Sequence, residues 1–73
     1  MELITIHPNV TISVEANTKL IETLYWKIIH QFSGVLDSPD NRIIMAQAFE
    51  DLLRNCNVLK FSVEFKAMIH PND

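Results

Sequence analysis

Hydrophobic and polar side chains alternate along the final part of the chain. From Val58 to Ile69 the odd-numbered positions are all apolar, and the even-numbered positions between them are mostly polar. This period of two is typical of a strand with one buried and one solvated face. At about 3.3 Å per residue such a strand would run roughly 40 Å. We therefore predict a long strand over 58–69 whose apolar face the rest of the chain must cover.

A second alternating segment, Ile4 to Val14, contains a proline at position 8. A two-residue loop at Pro8-Asn9 would place apolar and polar side chains on the same face. A three-residue loop restores the match, but it commonly needs a left-handed residue where β-branched Val10 stands. One continuous edge strand kinked at Pro8 avoids both faults, and we predict this arrangement. A hairpin at Pro8-Asn9 is the alternative, because Pro-Asn is a common turn former.

Two helical patterns separate these strands. The first should be capped by Asn17 or Thr18 and run to about Phe32, before Gly34 as a left-handed stop. The second should begin with Ser38 as cap and Pro39 at the first helical position, and continue to about Asn55. The predicted apolar arcs are Leu20, Ile21, Leu24, Tyr25, Ile28, Ile29 and Phe32 in the first helix, and Ile44, Met45, Ala48, Phe49, Leu52, Leu53 and Cys56 in the second.

Together these elements predict an α+β fold, a small two-layer sandwich in β-α-α-β order. The two strands should pair antiparallel, with a helical hairpin on their apolar face. The pairs that keep apolar residues on one face are Val14 with Leu59, Ile12 with Phe61, and Val10 with Val63. With the hairpin at Pro8-Asn9 the order becomes β-β-α-α-β. We expect a single domain over residues 1–73.

The length of 73 residues allows only a thin core, and a domain of this size is marginal by itself. A single cysteine, Cys56, excludes an intramolecular disulfide, and we interpret it as a buried apolar filler. The open edges of a small sheet tend to recruit further strands. We therefore expect a homodimer.

Composition and motifs favour a binding protein over an enzyme. We find no catalytic signature, metal-ligand spacing or phosphate-binding loop, so no enzymatic activity and no cofactor are expected. Six lysines and arginines are dispersed and outnumbered by nine carboxylates, which disfavours nucleic-acid binding. No apolar run is long enough to span a membrane, and a cytoplasmic location is expected.

The residue that points most directly to an interaction is Trp26, which falls outside the apolar arc of its helix. Glu22 and His30 lie one turn away on either side, and Ile43 is a lesser outlier among polar residues of the second helix. Tryptophan is enriched at binding hot spots, although a tryptophan can also cover a helix–helix seam. We predict a homodimeric module that occupies a surface of a larger protein partner, as adaptor, subunit or inhibitor, in the style of small phage or mobile-element proteins.

The alternative function is that of a small ligand- or metal-binding protein using His7 and His70. Both histidines precede a proline, and in the predicted sheet both lie toward the same end. Imidazole is a common metal ligand and acid–base group. However, no acidic or cysteine residue adjoins them in a recognisable motif, so this function is the second choice.

Overall fold

The computed structural model describes residues 2–72, which contain three strands and two helices. The elements are β1 Glu2–Ile4, β2 Val10–Val14, α1 Thr18–Gln31, α2 Pro39–Asn55 and β3 Phe61–Phe65. The strands form one antiparallel sheet in the order β1-β2-β3. Helix α2 packs against β3, α1 packs against α2, and both helices share one hydrophobic core with the sheet. This confirms the predicted α+β class, with the element order β-β-α-α-β.

Strand β2, which lies at the centre of the sheet, alternates apolar and small polar residues. Val10, Ile12 and Val14 are buried, whereas Thr11 and Ser13 on the opposite face are partly exposed. This is the pattern of a strand with one face on the core and one in water. These three side chains therefore form the part of the core that β2 contributes beneath the helices.

The prediction of one continuous first strand is wrong, and the hairpin alternative is correct. β1 folds back on β2 with Ile4 opposite Ile12. The connection, residues 5–9, is longer than a two- or three-residue loop. Ile4 and Ile12 therefore share a face, and Val10 remains in the strand. Pro8 lies in a turn that is closed by a hydrogen bond from the Val10 N–H to the His7 carbonyl, at 3.2 Å. The longer connection thus allows both the turn at Pro8 and the matched parity of the two strands.

The predicted strand over 58–69 is also wrong in extent, because β3 covers only Phe61–Phe65. At its start, Asn57 takes a left-handed conformation with φ 63°. The Val58 N–H then bonds to the Leu53 carbonyl at 2.9 Å, and the Asn57 N–H bonds to the Arg54 carbonyl at 3.0 Å. This Schellman motif turns Val58 into the core, and Leu59 is left 87% exposed.

The same motif explains an error in the predicted register. The strands pair antiparallel as expected, but Val14 lies opposite Phe61 and Ile12 opposite Val63, two residues further along β3 than predicted. The chain needs residues 56–60 to leave α2 and enter the sheet. Because the shift is an even number of residues, the apolar side chains still share one face.

The predicted helix boundaries are confirmed. Asn17 Oδ1 accepts the N–H of Lys19 at 2.8 Å at the start of α1, and Ser38 Oγ accepts the N–H of Asn41 at 3.1 Å at the start of α2. Gly34 follows α1 with φ 83°, the left-handed geometry that glycine adopts without a steric penalty. Local capping chemistry therefore sets these helix ends.

The apolar arc of α1 is confirmed, but that of α2 is rotated relative to the prediction. Met45, Ala46, Phe49 and Leu53 are buried. Ile44 is half exposed and Cys56 is exposed, so both were wrongly assigned to the core. The rotation brings small Ala46 toward β3, against which α2 packs.

A carboxylate, Asp37, fastens the connection between the helices to the segment that follows β3. Its Oδ1 accepts the Arg42 Nε–H at 2.6 Å and the Met68 N–H at 3.2 Å. The hydrogen bond from Arg42 is the main cause that lowers the pKa of Asp37, and the Met68 N–H and the nearby charge of His70 act in the same direction. The ionised form is therefore favoured in the folded state.

We expect Asp37→Asn to lower the melting temperature near neutral pH but not in strong acid. A carboxyl whose folded pKa is depressed stabilises the fold above its unfolded pKa, and this stabilisation is lost as the pH falls through the folded pKa. The difference between the two melting temperatures should therefore shrink as the pH falls below the ordinary pKa of an aspartate, and vanish once the pH is below the lowered pKa of Asp37. Asp51→Asn is the control, because Asp51 bonds only to Arg54 on the surface. A constant difference at all pH values would contradict the assignment.

Candidate functional site

The indole of Trp26 is held on the surface of α1 by two rings of its own helix. It is 46% exposed. Its ring stands edge-on to buried Tyr25, with 5.3 Å between centroids and 79° between planes. His30 lies on another side at 6.4 Å. Trp26 is thus outside the core, and its neighbours define the position of its ring.

Glu22 and His30 are exposed and lie one helical turn before and after Trp26. Residues spaced by four on a helix lie on one face, so the three side chains form a stripe along α1. We call this stripe the Trp26 surface. It has an acidic end, an aromatic centre and an imidazole end.

The fourth predicted interaction residue, Ile43, belongs to a different surface. It is 56% exposed and lines a groove of about 260 Å³ between α2 and β3. We call this the α2–β3 groove. Its lining residues are Arg42, Ile43, Ala46, Gln47, Glu50, Val63, Glu64 and Phe65. The structure therefore separates Ile43 from the Trp26 surface.

The strand beside the groove has an open edge, because β3 pairs with β2 on one side only. The Lys66 N–H donates to the Asn9 carbonyl and the Glu15 N–H to the Lys60 carbonyl. In an antiparallel ladder the bonding direction alternates along each strand. The backbone groups of Ser62 and Glu64 therefore face β2, and those of Phe61, Val63 and Phe65 face outward.

The charged side chains around the groove differ in whether they already have a partner of opposite charge. The guanidinium of Arg42 is bonded to Asp37, and this contact raises the pKa of Arg42. Among residues 2–72, the ion pairs are Arg42–Asp37 and Arg54–Asp51, and neither includes Glu50 or Glu64. The groove therefore presents two carboxylates that have no cationic partner in the described chain.

The two histidines of the alternative function, His7 and His70, have different local surroundings. His7 Nδ1 accepts the N–H of Asn9 at 3.0 Å, which makes it part of the β1–β2 turn. His70 lies near Asp37. Within residues 2–72, no three histidine, cysteine, aspartate or glutamate side chains are grouped so that they could hold a metal ion.

Sequence reasoning did not identify the groove, although it singled out Ile43. No pattern in the sequence marks Ala46, Glu50 or Glu64 as members of a common surface. Their grouping depends on the rotation of α2 and on which edge of β3 stays open, and neither appears in a one-dimensional pattern. The available signal was the combination of an exposed isoleucine with an acidic residue two turns later on the same helix face.

The fold and these surfaces define a class of protein, a small two-layer α+β domain with an open three-stranded sheet. Comparisons with protein families, with curated proteins and with solved structures found no match. In the described part of the chain, neither helix combines the length and the apolar character that crossing a bilayer requires.

Proposed function

We propose that the chain is a small non-enzymatic protein-binding module of the cytoplasm that forms a homodimer and acts by covering a surface of a larger protein. Such a module serves as an adaptor, a subunit or an inhibitor. The observation that carries the proposal is the exposed indole of Trp26, which the fold holds in place without burying it. Tryptophan is among the residue types most enriched at binding hot spots.

Exposure of apolar side chains by itself is a weak signal, because single exposed aliphatic residues are ordinary. Leu3, Leu36, Ile44 and Leu59 belong to this ordinary group. Trp26 differs in two respects: it offers a large flat area, and its ring contacts those of Tyr25 and His30. Contacts that already position a side chain in the free protein reduce the entropy that it loses on binding. This favours Trp26 as an anchor.

The Trp26 surface is complementary to a second copy of itself. In a symmetric dimer the same patch is used on both subunits. A two-fold axis through Trp26 would cross two antiparallel α1 helices and place Glu22 of one copy against His30 of the other. The carboxylate then accepts a hydrogen bond from an imidazole N–H. One two-fold rotation thus pairs Glu22 with His30 at both ends of the stripe, which supports a homodimer.

Sedimentation at tens of micromolar should therefore give a mass near twice 8.4 kDa. Trp26→Ala should weaken association by about 2 kcal/mol or more, as truncation of a hot spot does. The fold should lose less than the ~3–5 kcal/mol typical of a core aromatic, because the indole is 46% exposed. Paired measurements of thermal unfolding and of association on the same variant test this.

Lys27→Ala is the control, since it alters the next exposed residue of α1 and leaves the stripe intact. Glu22→Ala and His30→Ala, made singly and together, form a double-mutant cycle. If the two side chains pair across the dimer, their effects on the free energy of association should not be additive. A wild-type protein that sediments as a monomer with a cooperative melt would refute the dimer. Severe unfolding of the Trp26→Ala variant would show that Trp26 is a core residue and not an interface anchor.

A further inference from the structure

The open edge of β3 and the side of α2 together have the form of a peptide-binding groove. Extended peptides commonly bind by adding a strand to a free sheet edge, with their alternate side chains in neighbouring pockets. At this edge the outward-facing backbone groups of Phe61, Val63 and Phe65 supply the donors and acceptors. The helix beside them supplies a wall, so an added strand would have both hydrogen-bonding partners and a side-chain contact.

The size and lining of the groove select one kind of occupant. A volume of about 260 Å³ lies below the roughly 300–1,000 Å³ of ordinary small-molecule sites, and it accommodates one or two side chains. Ile43, Ala46 and the strand residues Val63 and Phe65 give it an apolar base. Ala46 is the smallest of them, and its methyl group leaves room between helix and strand. These features suit alternate side chains of an extended segment.

The charge of the groove determines which side chain the segment should carry. Glu50 on α2 and Glu64 on β3 both line it without a cationic partner in residues 2–72. Lys66 shares the solvated face of β3 with Glu64, so Glu50 on the helix side is the stronger anchor. Arg42 is already occupied by Asp37. A lysine or arginine between apolar neighbours would complement this arrangement, because charge-assisted hydrogen bonds are the strong ones.

We propose that the α2–β3 groove binds an extended segment of a partner protein that adds as a strand to β3 and places a lysine or arginine against Glu50. The proposal deepens the function proposed above by naming the chemistry of the partner. It rests on the chain being a protein-binding module and is independent of the dimer through Trp26. A second copy of β3 is a poorer occupant, because self-pairing centred on Val63 opposes Lys60 to Lys66 and brings two acidic grooves together.

A library of capped, extended peptides tests the proposal on the full chain. The probes alternate threonine with valine, and the central valine position, on the helix-facing side, is varied over all residues. We expect enrichment of lysine and arginine at that position. Titration of the lysine peptide should shift the amide resonances of Phe61, Val63 and Phe65 in the isotope-labelled protein. No enrichment, or enrichment of acidic residues, would overturn the proposal.

Two adjacent isoleucines provide a matched pair of variants. Ile43 lines the groove and Ile44 does not, although both are about half exposed. Ile43→Ala should weaken binding of the lysine peptide severalfold, and Ile44→Ala should leave it unchanged. Glu50→Gln should weaken it about tenfold, as loss of a hydrogen bond between charged groups does. Equal effects of the two alanine variants would overturn the assignment of the groove.

The dimer and the peptide site can fail separately. Trp26→Ala should weaken dimerisation and leave binding of the lysine peptide intact. If the wild type is monomeric but binds the peptide through Glu50, the peptide-binding proposal is supported and the dimer proposal is refuted. If Ile43→Ala and Glu50→Gln instead change the oligomeric state and no peptide binds, a second copy occupies the groove and the present proposal is refuted.

Discussion

Phe49→Ala is expected to lower the free energy of unfolding by about 3–5 kcal/mol, the cost typical of deleting a buried aromatic ring. Phe49 is completely buried, and its ring packs against Phe65 with 6.4 Å between centroids. It therefore joins α2 to the edge strand of the sheet. Small domains have total stabilities of roughly 5–15 kcal/mol, so this loss should be visible as a large drop in the denaturant midpoint.

Ile44→Ala is the matched control for the orientation of α2. The helical pattern places Ile44 in the core, whereas the structure leaves it half exposed. Its truncation should cost less than about 1 kcal/mol, as is usual for surface substitutions. Chemical denaturation of both variants gives the comparison directly. A loss for Ile44→Ala as large as that for Phe49→Ala would mean that both side chains face the core, as the sequence pattern predicts.

Ser13→Pro is expected to disrupt the fold because it removes a hydrogen bond from the central strand. The bonding alternation places the Ser13 N–H toward the carbonyl of Ser62 in β3. Proline has no N–H, and within a sheet it is confined to edges and bulges. The carbonyl left without its donor costs about 1–3 kcal/mol, and steric conflict of the ring adds to this. Circular dichroism melting should show a strongly lowered midpoint or no cooperative transition.

Leu3→Pro is the control at the residue directly opposite Ser13 in the β1–β2 pair. The N–H of Leu3 faces outward at the open edge, and its side chain is 66% exposed. Proline is tolerated at such a position, so the variant should remain folded with a small change in melting temperature. If both proline variants melt alike, β2 does not lie between β1 and β3.

The candidate site could be predicted only in part. The Trp26 surface follows from spacing along one helix, because residues four apart share a face whatever the rest of the chain does. The α2–β3 groove does not follow from spacing. Ile43 is an outlier in the helical pattern, but its neighbours Val63 and Phe65 come from a strand that the tertiary fold brings alongside.

The sequence by itself determined the features that depend on near neighbours in the chain. Asn17, Ser38 and Gly34 set the helix ends through local hydrogen bonds and backbone conformation, and alternation of side chains set the buried face of β2. These interactions span at most a few residues, so the pattern contains all the information they need.

The tertiary structure decided the features in which several local solutions compete. The hairpin at Pro8 is settled by the pairing of Ile4 with Ile12, which buries both on one face. The register of β3 is set by the Schellman motif at Asn57 and Val58. This motif places in the turn residues that the alternating pattern assigns to the strand, so the strand begins later. Strand pairing and helix rotation are determined by total burial and by the length of the connections, which are properties of the whole folded chain.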